Sequence, residues 1–427
     1  MASIPRIIVF EDSGWQRLLP LVYMRAVYQL ICGMGDLLGR IRRRRPAGTP
    51  LDVWCRSGIA DIVAEQTGAP ANRLVQEPAL LLNGRGLWSA LPEVAPGDGA
   101  WVGVAGAHGE IACIAADAGL AARLTPETLL DEARLRAVLA GVPRRDVGAA
   151  VRLLAYPWEL IHAHEHAFVE DWAETVTAPV RLGRVDAGSY LLAEDAIHIG
   201  AGTRVKPCVV IDAEDGPVWI GENVTIYPHV YIQGPAFIGD GCVVQAGAAV
   251  KEGTYLGPVC KVGGEIEASI IQGYSNKQHD GFLGHSYIGS WVNIAADCIN
   301  SDLKNTYGTI RVPLNGYEVD TGEMFVGMLM GDHSKAGINV SFPTGAVIGF
   351  CSSIFAPQSP KFVPSFTWIT NKTVERYDEQ RGLAIARKVM ARRKKVMTEA
   401  EERAFLSVTR QALAAERQYL SSPMVAE

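Results

Sequence analysis

Aliphatic side chains recur at every sixth position through the middle of the chain: Ile199, Val205 and Ile211, then, after an insertion at 212–217, Ile220, Ile226, Ile232, Ile238, Val244, Val250, Leu256 and Val262. From Ile220 onward the register is unbroken. An amphipathic helix repeats at roughly 3.6 residues and a half-buried strand at about two, so neither gives this spacing. A triangular coil does, with one six-residue unit on each flat face and one aliphatic side chain per face turned inward. Hexapeptide repeats of this kind predict a left-handed parallel β-helix, placed here at 187–370. Gly200, Gly221, Gly239 and Gly257 each follow an aliphatic position, where a tight corner tolerates little side chain. The period lapses after Val262 and returns at 282–294 and 325–354. Insertions in repeat folds form loops, and loops carry sites, so the lapse is where chemistry is expected.

The flanking regions follow other patterns. Arg6-Ile-Ile-Val-Phe10, Leu51-Asp-Val-Trp-Cys55 and Leu80-Leu-Leu-Asn83 read as strands, and 59–67 as a helix. Residues 18–45 read as largely helical, ending in the basic run Arg40-Ile-Arg-Arg-Arg-Arg45, a solvated helix end whose cations suit the dipole. This alternation predicts an α/β domain over 1–180 with a mainly parallel sheet. Tyr156-Pro-Trp158 leads into a helix carrying His162, His164, Glu165, His166 and Glu170. The last region, 371–427, is charged and helical from Val374 to Tyr419, with Arg387, Lys388, Arg392, Arg393, Lys394 and Lys395. A solenoid end must be covered, so this segment is expected to cap the last coil. Phosphate binding by its basic stretch is the alternative.

Composition narrows the field. With 427 residues there is chain enough for two or three domains, and 48% hydrophobic with 20% charged residues is an ordinary globular balance. A net charge of -6 gives no general pull toward nucleic acid or an anionic membrane. No run of 18 apolar residues is present, and the apolar start at 4–10 meets Glu11 and Asp12 too soon for a signal-peptide core. The eight cysteines form no Cys-x-x-Cys pair, which fits a reduced cytoplasm rather than a disulfide scaffold or cysteine zinc site. The expectation is a cytoplasmic protein with small-molecule substrates, no nucleic-acid or membrane partner and no structural metal.

The densest polar stretch runs from Gln272 to Asn293 and continues through Asn300 to Gly308, with a second cluster from Met330 to Gly337. Acyl transfer from a thioester to an amine needs a base, and a histidine titrating near pH 6.5 suits it. Backbone N–H groups can hold the oxyanion, while amides and lysines hold sugar hydroxyls and a phosphate. His279, beside Asn276, Lys277, Gln278 and Asp280, is the candidate base. Lys261, Asn276, Lys277, Gln278, His285, Asn293, Asn305 and Tyr307 are candidate substrate contacts, and Lys304, His333, Ser334 and Lys335 candidate acyl-donor contacts. Trp219, Trp291 and Trp368 read as packing.

The segment Ser275-Asn-Lys-Gln-His279-Asp-Gly-Phe-Leu-Gly-His-Ser-Tyr-Ile-Gly-Ser-Trp-Val-Asn-Ile294 resembles the motif Ser-Lys-Ala-Gly-His-Leu-Thr-Tyr-Leu-Gly-Asp-x-x-Ile-Gly-x-x-Val-Asn-Ile. That motif belongs to the bifunctional N-acetylglucosamine-1-phosphate uridylyltransferase/glucosamine-1-phosphate acetyltransferase (GlmU) family. Gly273 to His285, Ser301 to Asn305, Gly331 to Asn339 and Pro364 to Phe366 resemble hallmarks of a GlmU-like group of sugar nucleotidyltransferases. The resemblance implies an acyl-CoA-dependent N-acyltransferase acting on an amino sugar, sugar phosphate or related small amine. It also implies acyl-CoA as co-substrate, His279 in the place of the base, Asn293 in that of a substrate-binding asparagine, and a homotrimer.

Departures are equally specific. Phe282 stands where the family has tyrosine, its Asn-Tyr pair falls near Asp302-Leu303, and Glu265 and Glu267 lie where a lysine is expected. The family's phosphate-binding basic residues have no clean counterpart, leaving Lys251, Lys261 and Lys277 as candidates. In the N-terminal half the family's Gly-rich triphosphate loop, Leu-Ala-Ala-Gly-x-Gly-Thr-Arg-Met, corresponds to Val9-Phe-Glu-Asp-Ser-Gly-Trp-Gln-Arg-Leu-Leu-Pro-Leu21, where only Gly14 and Arg17 agree. Arg17, Arg25, Asn83 and Arg85 are the candidate nucleotide contacts. An active N-terminal half would need Mg2+, for which Asp12, Glu170 and Asp171 are the carboxylates at hand. Three other readings compete. One is a sugar-1-phosphate nucleotidyltransferase that uses the β-helix to trimerise, another a zinc hydro-lyase built on His229, His279 and His285, and the last a non-catalytic assembly protein.

Overall fold

The computed structural model describes residues 6–95 and 97–417. They form two compact units. One holds the chain up to Leu18, Met24–Tyr156 and Glu399–Ala404; the other holds Leu19–Tyr23, Pro157–Thr398 and the chain from Phe405 on.

The first unit is α/β. Its strands are β1 (Ile7–Phe10), β2 (Leu51–Trp54), β3 (Ala79–Asn83), β4 (Gly86–Trp88), β5 (Trp101–Ala105), β6 (Glu110–Ala116), β7 (Arg144–Asp146) and β8 (Val151–Leu153). The main sheet runs β2-β1-β3-β6-β5-β7, and β4 pairs β8 in a separate ribbon. β2, β1 and β3 are mutually parallel, but β6 is antiparallel to both β3 and β5. β5 pairs β7 in parallel, so the sheet is mainly parallel, with β6 as its antiparallel strand. β5 and β6 are joined by a tight turn with Gly106 and Gly109 both at positive φ, and so short a link forces an antiparallel partner, because a parallel one needs a long crossover.

The helical reading of 18–45 also needs correction. Only α1 (Leu37–Arg44) is α-helical there. Pro20 removes a backbone donor, and Gly33 adopts φ +86. The helix starts where the Asp36 carboxylate accepts from Gly39 N at 2.7 Å. Its arginines are solvated only in part: Arg40 is buried and Arg43 exposed, while Arg40, Arg42 and Arg44 donate to the carbonyls of Trp88, Thr67 and Ser89. α2 (Ala60–Thr67) matches expectation, and short helices α3 (Ala118–Ala121), α4 (Pro126–Leu130) and α5 (Glu132–Val138) complete this part.

The second unit is the expected parallel β-helix. On its first face the inward ladder reads Ile199, Ile220, Ile238, Leu256, Ile271, Ile288, Met330, Ile348 and Val363, each in register with the next. On the second it reads Val205, Ile226, Val244 and Val262, and on the third Ile211, Ile232, Val250, Ile266 and Leu283. These side chains are buried almost completely, as the six-residue period requires. The corner glycines are needed for close approach: a Cβ on Gly200 would lie 2.6 Å from the Gly221 backbone, and one on Gly257 2.6 Å from Gly273 N.

The lapse after Val262 is a shortening of coils, not a loss of fold. Val262 pairs with Lys277 and Leu256 with Ile271, shorter steps than the one relating Ile238 to Leu256. A true insertion follows Asn300 and carries the antiparallel hairpin Arg311–Leu314/Tyr317–Asp320. Hydroxyls and thiols at one inner corner satisfy carbonyls of the next coil: Thr203 donates to Gly221 O, Cys242 to Gly257 O, Cys260 to Gln272 O, Ser275 to Gly289 O and Ser334 to Gly349 O.

Helix α6 (Pro157–Thr175) packs with this unit. The reason is aromatic packing. His198, Trp219, Phe237 and Tyr255 stack as a column on the outside of the first face, and His164, Phe168 and Trp172 of α6 meet it edge-on. Burial lowers the His164 pKa to about 4, so this histidine is a packing residue. The C-terminal segment forms α7 (Glu379–Arg392) and α8 (Glu399–Ala415); Tyr419, at the end of the expected helical stretch, lies outside the described residues. Among the described residues no helix is long and apolar enough to cross a membrane.

Candidate functional site

The outer side of the second face carries a ladder in which Lys261, Asn276, Asn293, Lys335, Ser353 and Trp368 lie in register on successive coils. Its middle rungs floor a cavity of about 490 Å³. Tyr274 and Trp291 wall one side, stacked with centroids 4.3 Å apart. Gln278, His279 and Ala295 form the other side, and Val389, Arg392 and Arg393 roof it.

α7 is seated firmly over this floor. Asp378 caps its start by accepting from Arg381 N at 2.8 Å. Gly382 allows close approach, since a Cβ there would lie 2.9 Å from Cys351 Sγ. At the far end Arg393 donates to the Asn276 side-chain oxygen at 2.6 Å, and the Asn276 amide points on to Asn293 at 3.4 Å. Lys335 donates to His333 O at 2.8 Å. Burial holds its ammonium below the usual lysine pKa, with the Cys351 thiol pulling the other way.

Lys277 lies beneath this floor. It occupies the inward position that Val262 fills one coil earlier and is 1% exposed. Its Nζ donates to Gly263 O at 3.0 Å and His279 O at 2.9 Å. Burial pushes its pKa down to about 8, against smaller opposing effects of Cys298, Asp280 and Asp297.

The N-terminal candidates form a different kind of cluster. Arg85, 1% exposed, clamps both carboxylate oxygens of Asp12 at 2.8 and 2.6 Å and donates to Leu154 O at 3.0 Å. Asn83 donates to Asp12 and to Ile111 O. Burial alone would raise the Asp12 pKa, but the hydrogen bonds and charge of Arg85 outweigh it and hold the carboxyl below its usual value. A Cβ on Gly14 would lie 2.7 Å from Arg85 Nε, so this glycine admits a guanidinium. Arg17 pairs with Glu110 at 3.3 Å, and buried Arg25 gives its carbonyl to Arg56. A magnesium ion on Asp12 would have to displace Arg85. Asp171 is buried within α6, and Glu170 lies 3.5 Å from His166. Among the described residues no group of three His, Cys, Asp or Glu side chains is arranged to hold a metal. These carboxylates do not fit the Mg2+ site implied by the resemblance.

Residues 7–178 match the sugar nucleotidyl transferase model, and 217–252 match the bacterial transferase hexapeptide (six repeats) model. The bifunctional protein GlmU of Acidithiobacillus ferrooxidans is 32% identical over 169 residues, 38% of this chain and 33% of that protein. GlmU of Heliobacterium modesticaldum is 26% identical over 253 residues, 54% of this chain and 52% of that protein. The chain is GlmU-like. It spans about a third to a half of the length of these curated relatives. Among solved structures, the UDP-N-acetylglucosamine acyltransferase of Campylobacter jejuni aligns at 8% identity over 53% of this chain and 96% of that chain, with a TM-score of 0.22.

Of the candidate site residues singled out in the sequence, the cavity brings together Lys261, Asn276, Gln278, His279, Asn293 and Lys335. It does not include Lys277, whose side chain is in the core. His285 sits at another corner with φ +44, its Nδ1 2.9 Å from Asp302 and its ring stacked on Phe325. His333 is packed among Phe350, Phe405 and Trp291, and Ser334 is fully buried. Lys304, Asn305 and Tyr307 lie on the insertion after Asn300, where Lys304 donates to Thr309 O and Tyr307 is 68% exposed. Lys251 is paired with Glu265 and Glu267. Tyr274 is not among the sequence-based candidates, Trp291 is expected only to pack, and the C-terminal basic stretch is expected to cap the last coil or to bind phosphate; all three regions line the cavity. The basic stretch of α7 was the available signal for the roof.

Proposed function

We propose that the β-helix half is an acyl-CoA-dependent N-acyltransferase for an amino sugar, sugar phosphate or related small amine, with His279 as general base. The observation that carries this reading is the cavity itself, which collects one imidazole, three side-chain amides and the lysines 261 and 335 on a single face. The amine attacks the thioester carbonyl and His279 takes its proton. The oxyanion collapses, the C–S bond breaks, and the proton passes on to the departing CoA thiolate. Lys261 and the amides of Asn276, Gln278 and Asn293 hold the acceptor, and Lys335 lies toward the donor. His279 is exposed in the single chain, which supports a homotrimer whose neighbouring subunit closes the site.

Incubation of the whole protein with acetyl-CoA and a panel of amino sugars and their phosphates tests the reading. Thiol release that needs both the amine and His279 supports it. No release with any amine, or full activity in His279→Ala, overturns it.

The sugar nucleotidyl transferase match over 7–178 favours a second reading, nucleotidyl transfer from a nucleoside triphosphate to a sugar 1-phosphate. The Asp12–Arg85 clamp weighs against it. Pyrophosphate release dependent on both substrates and on Arg17 would establish it.

A further inference from the structure

The GlmU-like β-helix motif lacks its expected phosphate-binding basic residues, yet the cavity is the reverse of cation-poor. Its lining includes Lys261, Lys335, Arg392 and Arg393 and no carboxylate. Two of these four cations come from the C-terminal end of α7, its last residue Arg392 and the next residue Arg393, far along the chain from the floor. Arg393 is oriented by its 2.6 Å bond to Asn276, and the Lys395 ammonium stands 5.9 Å from the Tyr274 ring on the same side. Four cations around one cavity repel one another in the absence of a counter-charge. Arginine guanidinia in particular match the planar, multi-oxygen geometry of a phosphate.

We propose that Arg392 and Arg393 of α7 are the phosphate-binding residues of this cavity, and that its ligand carries a phosphate ester or phosphoanhydride. The inference rests on the proposed acyltransfer reading for the identity of the ligands but not for their charge. A phosphorylated acceptor and the phosphates of coenzyme A share this chemistry. The cavity is built for one of them, with the Tyr274/Trp291 wall offering a flat apolar surface to a ring. On this view α7 is a specificity-determining roof as well as a cap.

The test is calorimetric binding to the full chain of three probes, glucosamine 1-phosphate, coenzyme A and glucosamine without a phosphate, with wild type, Arg392→Ala/Arg393→Ala and Arg392→Lys/Arg393→Lys. Losing charge-assisted bonds to phosphate is expected to weaken binding about 10- to 100-fold. A loss with glucosamine 1-phosphate assigns the arginines to the acceptor, and a loss with coenzyme A assigns them to the donor. The lysine pair is expected to retain part of the affinity, and binding of unphosphorylated glucosamine to be indifferent to the substitutions. Wild-type affinity for the phosphate probe should also fall as salt rises from about 50 to 500 mM, a readout that needs no variant. Unchanged phosphate affinity in the alanine pair, or no binding of either phosphate probe to wild type, overturns the proposal. Acyl transfer is scored separately. Phosphate binding lost in the alanine pair without any thiol release leaves this inference standing and removes the acyltransfer reading. Thiol release unaffected by the pair does the opposite.

Discussion

The two candidate sites hold similar residues in opposite electrostatic states. Around Asp12 the cations face protein: Arg85 closes on Asp12 and Leu154 O, and Arg17 on Glu110. Around Asn276 they face a cavity whose lining has no carboxylate. A basic residue is informative about a ligand only when the structure does not already supply its anion. In the first unit the two residues that match a triphosphate loop serve internal ion pairs, Gly14 by admitting Arg85 beside Asp12 and Arg17 by pairing with Glu110; in the second, arginines outside every family motif line open space.

The largest expected effect probes the open side. If His279 is the base, His279→Ala lowers the rate of thiol release by roughly 10²- to 10⁴-fold, the usual contribution of general acid–base catalysis. Binding of the phosphate probes should be nearly unchanged, because the roof and floor remain. Next comes the closed side. Arg85→Ala leaves Asp12 without its clamp in a site where Arg85 is only 1% exposed. Removing one partner of a buried pair costs about 3–5 kcal/mol, to be read by urea unfolding of the whole chain, with the loss expected in the transition that reports β1–β3. The sign of the pH dependence follows from the Asp12 pKa, which is depressed in the fold. Its contribution is fully present above the unfolded value of about 3.9 and disappears as pH falls through the folded value. Arg85→Ala should lack that acid dependence. Wild-type stability in an Arg85→Ala/Asp12→Asn pair would mean that the clamp is incidental.

What the sequence made legible follows the same division. The regular coils were readable because each step from Ile220 to Val262 buries one aliphatic side chain at a fixed spacing, a constraint imposed by the chain itself. His279, Asn276 and Asn293 were readable as a polar cluster interrupting that period. Arg392 and Arg393 were readable as a basic stretch with phosphate binding as one alternative, but not as the roof of this cavity, because only the packing of Gly382 against Cys351 and the bond from Arg393 to Asn276 bring α7 over the floor. No spacing records a contact between residues so distant in sequence. Lys277 and Ser334 were misplaced for a subtler reason. Polar residues in a polar stretch look exposed, and the shortened coil after Val262 conceals that Lys277 takes an inward position.

Lys277 gives the smallest effect and the finest test, because it is a closed cation inside the open region. Its ammonium is occupied by Gly263 O and His279 O, so it should act on His279 as a positioning residue and touch no ligand. Its pKa is lowered from 10.5 to about 8 by burial, meaning the fold disfavours its charged form. Between those values the unfolded chain binds a proton that the folded chain does not, so this group makes stability rise with pH across that window. Lys277→Met removes the rise: its stability relative to wild type should be most favourable below pH 8 and decline toward pH 10.5, measured by urea midpoints at matched salt. The same variant should lower kcat for thiol release with little change in KM for the acceptor, since the cavity walls are intact while the His279 backbone has lost its tether. A changed KM with an unchanged kcat would place Lys277 among the ligand-binding groups, and the line between closed and open cations would then have to be redrawn inside the β-helix.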